Sequence, residues 1–314
     1  MSKQAKQTPG GILRALRKGK GLTQLQLCQD ICSERTLRDI EKDIILPSKE
    51  VLELLLKECG SSLEEYNKQV YGIDTSRFES DFAKLWDILY DKNYKAFATG
   101  VEVLKNAPYY TMTIPTTRQA MLLLEAAAQS SDRLKHHQTL KMLAEALGLT
   151  KGHLLGKGNW LDNKAVATSI LTMNEGRIIK LMAFVLSDSD LKKAINISLA
   201  LIESLEDSNA FYHVCKKLLP STYFNTSDML IDDEQYENAL DLAEDGISYS
   251  MRVNEFKFLA KLYTNKGEAL CKLGDFKQGK EAFAGACRAA RLYQNKKTEE
   301  SIRSFVKKHY DMEL

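Results

Sequence analysis

Basic side chains with no acid beside them bind anions, and the first 29 residues carry six: Lys3, Lys6, Arg14, Arg17, Lys18 and Lys20, with no Asp or Glu among them. Such a segment attracts a phosphate backbone. Two more guanidiniums, Arg35 and Arg38, follow Ser33, a residue type suited to capping a helix. An arginine fork can bond a guanine edge or a phosphate through two parallel hydrogen bonds. Nothing comparable points to catalysis. There is no glycine loop to cradle a nucleotide phosphate and no Ser/His/Asp arrangement with local context. The five histidines, His136 and His137 included, lack ligand spacing, and the six cysteines form neither a CxxC pair nor a Cys/His cluster. The expectation is a chain with no enzyme activity, no catalytic residue, no metal and no cofactor, its cysteines mostly small buried apolar residues.

Holding those cations in place requires a fold, and the composition favours helices. Only five prolines occur in 314 residues, with hydrophobic residues at 44% and charged residues at 27%. Proline would break a helical ladder, whereas Ala, Leu, Lys and Glu lose little rotamer freedom in one. An all-α chain of roughly two domains is expected. The net charge of +2 neither demands nor excludes a nucleic-acid partner. No stretch reaches the roughly 18 apolar residues of a membrane span, and the start Met1-Ser-Lys-Gln-Ala-Lys lacks the apolar core of a secretion signal. A cytoplasmic protein with no membrane partner is expected.

From Gly10 to Tyr71 the pattern predicts five short helices. The first spans about 10–19, with Ile12, Leu13 and Leu16 on one face and Arg14, Arg17 and Lys18 on the other. Thr23 caps a second, from Gln24 to Ile31. Ser33 caps a third, from Glu34 to Lys42, with Leu37 and Ile40 inward and Arg35, Thr36 and Arg38 outward. Ser48 opens a fourth helix and Ser62-Leu63-Glu64-Glu65 has the capping-box pattern of a fifth.

Leu22-Thr23-Gln24-Leu25-Gln26-Leu27, then Leu37-Arg38-Asp39-Ile40-Glu41 and Pro47-Ser48, resembles the lambda-repressor or Xre-type helix-turn-helix. In that family the third helix enters the major groove of double-stranded DNA while the second crosses the backbone. The resemblance implies a DNA-facing set of Arg14, Lys18, Gln24, Ser33, Arg35, Thr36, Arg38 and Lys42, with Gln24 holding a phosphate at its helix N-terminus. It also implies that Arg17 and Glu41 pair internally and tie the first helix to the third. Asp39 departs from the pattern, since a basic residue is common there and an acid repels phosphate.

Behind a linker at 72–77, helical periodicity runs from 78 to 314. Asp233-Glu-Gln-Tyr236-Glu-Asn-Ala239 aligns with Gly274-Asp-Phe276-Lys-Gln-Gly279 when shifted by 40, and Tyr223-Phe-Asn225 falls on Tyr263-Thr-Asn265. These segments resemble tetratricopeptide (TPR) repeats, with an aromatic after a tight turn and small residues where helices approach closely. Asp91-Lys-Asn-Tyr94 and Asp188-Ser-Asp190 mark weaker copies, so about five helix pairs in a right-handed solenoid are expected. Such a solenoid presents a concave groove. Arg177, Lys180, Tyr223, Asn225, Tyr263 and Asn265 are expected to line it, the asparagine amides matching a peptide backbone and the cations a peptide carboxylate.

An Xre-type domain at 1–71 followed by TPR-like repeats is similar to the RRNPP group of regulators, and within it to the Rgg-like and PlcR-like branches. That similarity implies a homodimeric transcriptional regulator of quorum sensing. Its repeats would bind a short signalling peptide and provide dimerisation, and its paired DNA-binding domains would occupy an inverted repeat. Two alternatives stay open on the sequence: a peptide-independent Xre-type repressor of a phage or mobile element, and a TPR-like scaffold for protein partners, which Asp39 favours.

Overall fold

A computed structural model describes residues 8–71, 76–90, 93–110, 114–156, 160–206, 212–293 and 295–314. Lys3 and Lys6, the linker residues 72–75 and the turn at 91–92 lie outside them. The chain divides into two compact units, Met1–Trp160 and Leu161–Leu314, and among the described residues the extended regular elements are helices.

The first unit opens with five short helices: α1 (Pro9–Gly19), α2 (Gln24–Cys28), α3 (Glu34–Glu41), α4 (Lys49–Glu58) and α5 (Leu63–Tyr71). Each begins where a side chain can take up an orphan N–H. Thr8 accepts from Gly11, Ser33 from Thr36 and Ser48 from Val51, while Thr23 with Gln26 and Ser62 with Glu65 form reciprocal boxes. Leu13, Leu27, Leu37, Leu55 and Leu56 are fully buried and meet in one core. Helix α2 stops three residues earlier than its apolar spacing predicts. Gln29 leaves the helical region (ψ 129°) and Asp30 turns left-handed (φ 60°), a conformation aspartate tolerates better than most. Ile31 still packs on the core from the turn. The unit continues with α6 (Ser76–Tyr90), α7 (Tyr94–Lys105), α8 (Pro115–Gln129) and α9 (His136–Lys151), with α6 pairing with α7 and α8 with α9. Helix α6 starts at Ser76, two residues inside the segment expected to be linker.

The second unit holds α10 (Asn163–Ala167), α11 (Met173–Ser187), α12 (Leu191–Glu206), α13 (Tyr212–Asp232), α14 (Tyr236–Val253), α15 (Leu259–Lys272), α16 (Phe276–Leu292) and α17 (Lys296–Tyr310). The pairs α11/α12, α13/α14 and α15/α16 stack, and the first helices α11, α13 and α15 also touch in that order. The 40-residue offset is visible in the backbone itself: Glu234 (φ 60°) and Gly274 (φ 91°) turn left-handed at the same repeat position. Small residues sit where helices cross. Ala239, Ala243 and Ala286 are fully buried, and a Cβ on Gly246 would lie 2.8 Å from Tyr223 and from Leu262. Five of the six cysteines are buried, Cys32 being half-buried, and all six are free thiols. Among the described residues no helix is long and apolar enough to cross a membrane and no group of His, Cys, Asp or Glu could hold a metal.

Candidate nucleic-acid interface and peptide groove

Helix α3 is held by α1 along its inner face. Gly10 of α1 sits so close to α3 that a Cβ there would lie 2.2 Å from the Ile40 carbonyl oxygen, and its amide donates to Asp43 Oδ1 at 2.7 Å. One end of the crossing therefore requires glycine. At the other, Arg17 donates from Nε to Glu41 Oε1 (2.5 Å) and from Nη2 to Glu41 Oε2 (2.9 Å). Burial alone would raise the Glu41 carboxyl, but hydrogen bonds from Arg17 and Gln24 outweigh it and hold the group below its ordinary value. The Glu41 bond raises the Arg17 pKa in turn, against the opposing effect of burial. Arg17 thus leaves the outer face that simple periodicity gave it and takes the internal role that the family resemblance implied.

Gln24 is half-buried, and its amide nitrogen donates to Glu41 Oε2 at 2.9 Å, adding a third hydrogen bond to the buried ion pair. Helix α2 has only five residues, too short for a substantial dipole of its own.

The outer face of α3 carries Arg35, Arg38 and Lys42, spaced three and four apart and all exposed. Thr36 is half-buried, its hydroxyl 2.8 Å from that of Ser33, which caps the helix. Arg14 and Lys18 are exposed on α1. Asp39 lies on the same stripe as the guanidiniums and approaches Arg35 Nε at 4.0 Å. Sequence reasoning passed over the loop behind α3, where Ile44, Ile45 and Leu46 are 64%, 40% and 38% exposed. Three adjacent aliphatics between Asp43 and Pro47, with no helical or strand period, were the available signal.

In the second unit the expected groove residues separate into two sets. Arg177, Lys180, Asn225 and Tyr263 are half-buried and keep accessible surface. Tyr223 and Asn265 do not, and their expected place on the groove is corrected. Tyr223 is 2% exposed, with its ring near Tyr249 and its hydroxyl donating to Glu206. Asn265 is 3% exposed, and its amide donates to the Phe224 carbonyl (3.1 Å) and to Ser227 Oγ (2.8 Å), tying α15 to α13. A buried amide needs its partners inside the protein, so this one is a structural tie.

Lys180 reaches from α11 to Ser221 Oγ of α13 at 2.7 Å. Burial, with the neighbouring charge of Arg177 adding to it, pulls its ammonium down to about 7. Further along, Phe224 and Phe258 stack at 6.1 Å with the Lys261 ammonium 4.8 Å and 5.2 Å from their rings. Asp228 keeps an exposed surface, yet the protein around its carboxyl and the neighbouring Asp232 charge push it up to about 6, and the half-buried Glu268 is raised by desolvation and by Asp228. These acids were missed by sequence reasoning, although the offset of 40 that aligns Asn225 with Asn265 also aligns Asp228 with Glu268.

A helix-turn-helix family model matches residues 13–66, and the model of the RNPP family C-terminal domain matches 160–309. A search of curated proteins finds no match. Among solved structures, the chain is similar to Bacillus thuringiensis PlcR in complex with the peptide PapR7 and DNA. That match has 20% identity over 95% of this chain and 99% of that one, with a TM-score of 0.59. It is also similar to ComR from S. thermophilus in complex with DNA and its signalling peptide ComS, at 16% identity over 95% and 98% of the two chains and a TM-score of 0.56. At these identities the likeness is one of fold. The chain thus carries a helix-turn-helix domain at its front and, over residues 160–309, a region matching the RNPP family C-terminal domain.

Proposed function

We propose that the protein is a cytoplasmic transcriptional regulator that binds an inverted-repeat DNA site as a homodimer. Control comes from a short signalling peptide held on the first helices of its repeats, in the manner of quorum sensing. Residues 1–71 form the DNA-binding domain, and the helices from Ser76 onward the domain for peptide binding and dimerisation. Arg35 and Arg38 read base edges or nearby phosphates, Ser33 caps their helix, and Thr36, Lys42, Arg14 and Lys18 flank the contact. Arg177, Lys180, Asn225 and Tyr263 face the peptide.

The observation that carries this reading is the two-sided character of α3. Its inner face is locked to α1 by a buried ion pair and a glycine crossing, while its outer face offers a row of exposed cations. Solved structures of the same fold contain both DNA and a peptide. The test is a mobility shift with duplexes selected by the full chain from a randomised pool. A specific shift whose affinity falls steeply with added salt is expected, because phosphate contacts release counterions. Absence of any salt-dependent shift would favour the scaffold, the alternative that Asp39 supports.

A further inference from the structure

Leu37, Ile40 and Glu41 are the buried positions of α3. At about 100° per residue the helix places Arg35, Asp39 and Lys42 opposite them, within about 60° of one another, with Arg38 at their edge. Asp39 therefore stands inside the exposed cationic row. Its backbone is fixed from both sides, because the helix continues through it and its carbonyl also accepts the Ile44 amide at 2.9 Å, closing the loop behind α3 onto the helix. Its side chain is 26% exposed and lies 4.0 Å from Nε of Arg35, a side chain 84% exposed.

A contact on Nε uses one edge of the guanidinium and leaves the outer edge, with both Nη atoms, for a ligand. That outer edge is a fork able to bond guanine O6 and N7 together. An exposed pair at this spacing is weak in water and strengthens when a groove wall excludes water from it. The carboxylate has a second oxygen, and it can only accept. In the major groove cytosine N4 and adenine N6 are amino donors, whereas thymine O4 and guanine O6 are acceptors that repel an anion.

We propose that Asp39 is a specificity residue: it holds Arg35 by its inner edge so that the outer fork meets a guanine, and it accepts a hydrogen bond from an amino-bearing base, cytosine or adenine, at the adjacent position of the half-site. The inference rests on the DNA-binding reading and assigns two neighbouring letters of the site. The acid that weakens general attraction to phosphate thereby sharpens the choice among sequences, since a wrong base leaves a carboxylate facing a carbonyl oxygen.

The test selects duplexes from a randomised pool with the immobilised full chain, wild type and variants in parallel, and sequences what is retained. For the wild type a guanine beside an amino-bearing base is expected in each half-site, with thymine and guanine at the second place disfavoured about tenfold. The same sequences separate cytosine from adenine there. Asp39→Asn, whose amide donates as well as accepts, should admit thymine and guanine at that place and lower the discrimination to about twofold or less. Asp39→Ala should abolish it and weaken the neighbouring guanine preference, while the bases chosen elsewhere in the half-site persist. An unchanged helical circular dichroism spectrum confirms that both variants fold. Wild-type base preferences in both variants would overturn the proposal while leaving DNA binding intact. So would a loss spread evenly over all positions, the sign of a displaced helix, or one confined to the guanine. Enrichment of no sequence by the wild type would remove the DNA-binding reading, and this inference with it.

Discussion

Arg17 of α1 and Glu41 of α3 form a buried two-bond ion pair, their side chains 9% and 2% exposed, with Gln24 of α2 donating to the same carboxylate. Three helices therefore meet on one anion, and the orientation of α3 is set by it. Breaking the pair strands a buried charge, which costs about 3–5 kcal/mol. Arg17→Met or Glu41→Leu alone should lower unfolding stability by that order in urea titrations of the full chain, and the double variant should recover most of it. Additive losses in the double variant would show that the two residues act independently.

The same pair sets an acid limit. Glu41 is held below its ordinary value in the folded state, so its contribution is complete above the unfolded carboxylate range and disappears as pH falls through the lowered folded value. Arg17, raised, stays charged throughout. Between about pH 5 and pH 3 the wild type should lose more stability than Glu41→Gln does. Parallel curves for the two would contradict the assignment.

Gly10→Ala would place a methyl 2.2 Å from a backbone oxygen of α3, which cannot move aside as a side-chain tip can. Overpacking of this kind costs about 1–3 kcal/mol, and the shift of α3 should weaken DNA binding beyond the stability loss. Gly19, at the other end of α1, has nothing within 4 Å of its would-be Cβ. Gly19→Ala should be neutral or stabilise by up to about 1 kcal/mol. Equal effects at the two glycines would mean that the crossing is not tight.

Asp39 stands on the cationic stripe of α3, with Arg35 4.0 Å away and largely exposed. Asp39→Lys should strengthen binding to unselected duplex DNA and steepen the dependence of log affinity on log salt by about one phosphate contact, with stability changed by only a few tenths of a kcal/mol. An unaltered salt slope would place Asp39 away from the phosphates.

The folded protein carries the cost of burying the Lys180 ammonium beside Arg177. Between about pH 7, its lowered folded value, and the ordinary lysine value of 10.5, the unfolded chain binds more protons than the folded one. Unfolding free energy should therefore rise with pH across that window. Subtracting the urea midpoints of Lys180→Met at pH 7 and pH 9 from those of the wild type isolates this group, and no difference between the two pH values would contradict its depressed state.

What was legible in the chain was local. The caps at Thr23, Ser33, Ser48 and Ser62, the five short helices and the 40-residue offset all follow from near neighbours in sequence, and each has its counterpart in the fold. What was not legible depends on partners far along the chain. Gln24 has the residue type of a phosphate ligand, but a carboxylate 17 residues away takes its amide. Asn225 and Asn265 share a repeat position, yet only Asn265 has Ser227 and the Phe224 carbonyl within reach, so one keeps surface and the other is sealed between helices. Repeat position fixes which face a residue starts from; the packing of the next helix decides whether that face stays open. The early end of α2 depended on the dihedrals of Gln29 and Asp30, which apolar periodicity does not record.

The most direct measurement is the affinity of the Arg35→Ala, Arg38→Ala double variant for a duplex selected by the wild-type chain, with circular dichroism confirming the fold. Each specific arginine contact is worth about 1–3 kcal/mol, so the pair should account for roughly a hundredfold loss or more, concentrated on the selected sequence rather than on random DNA. Full occupancy of the selected duplex by a correctly folded double variant would contradict the account.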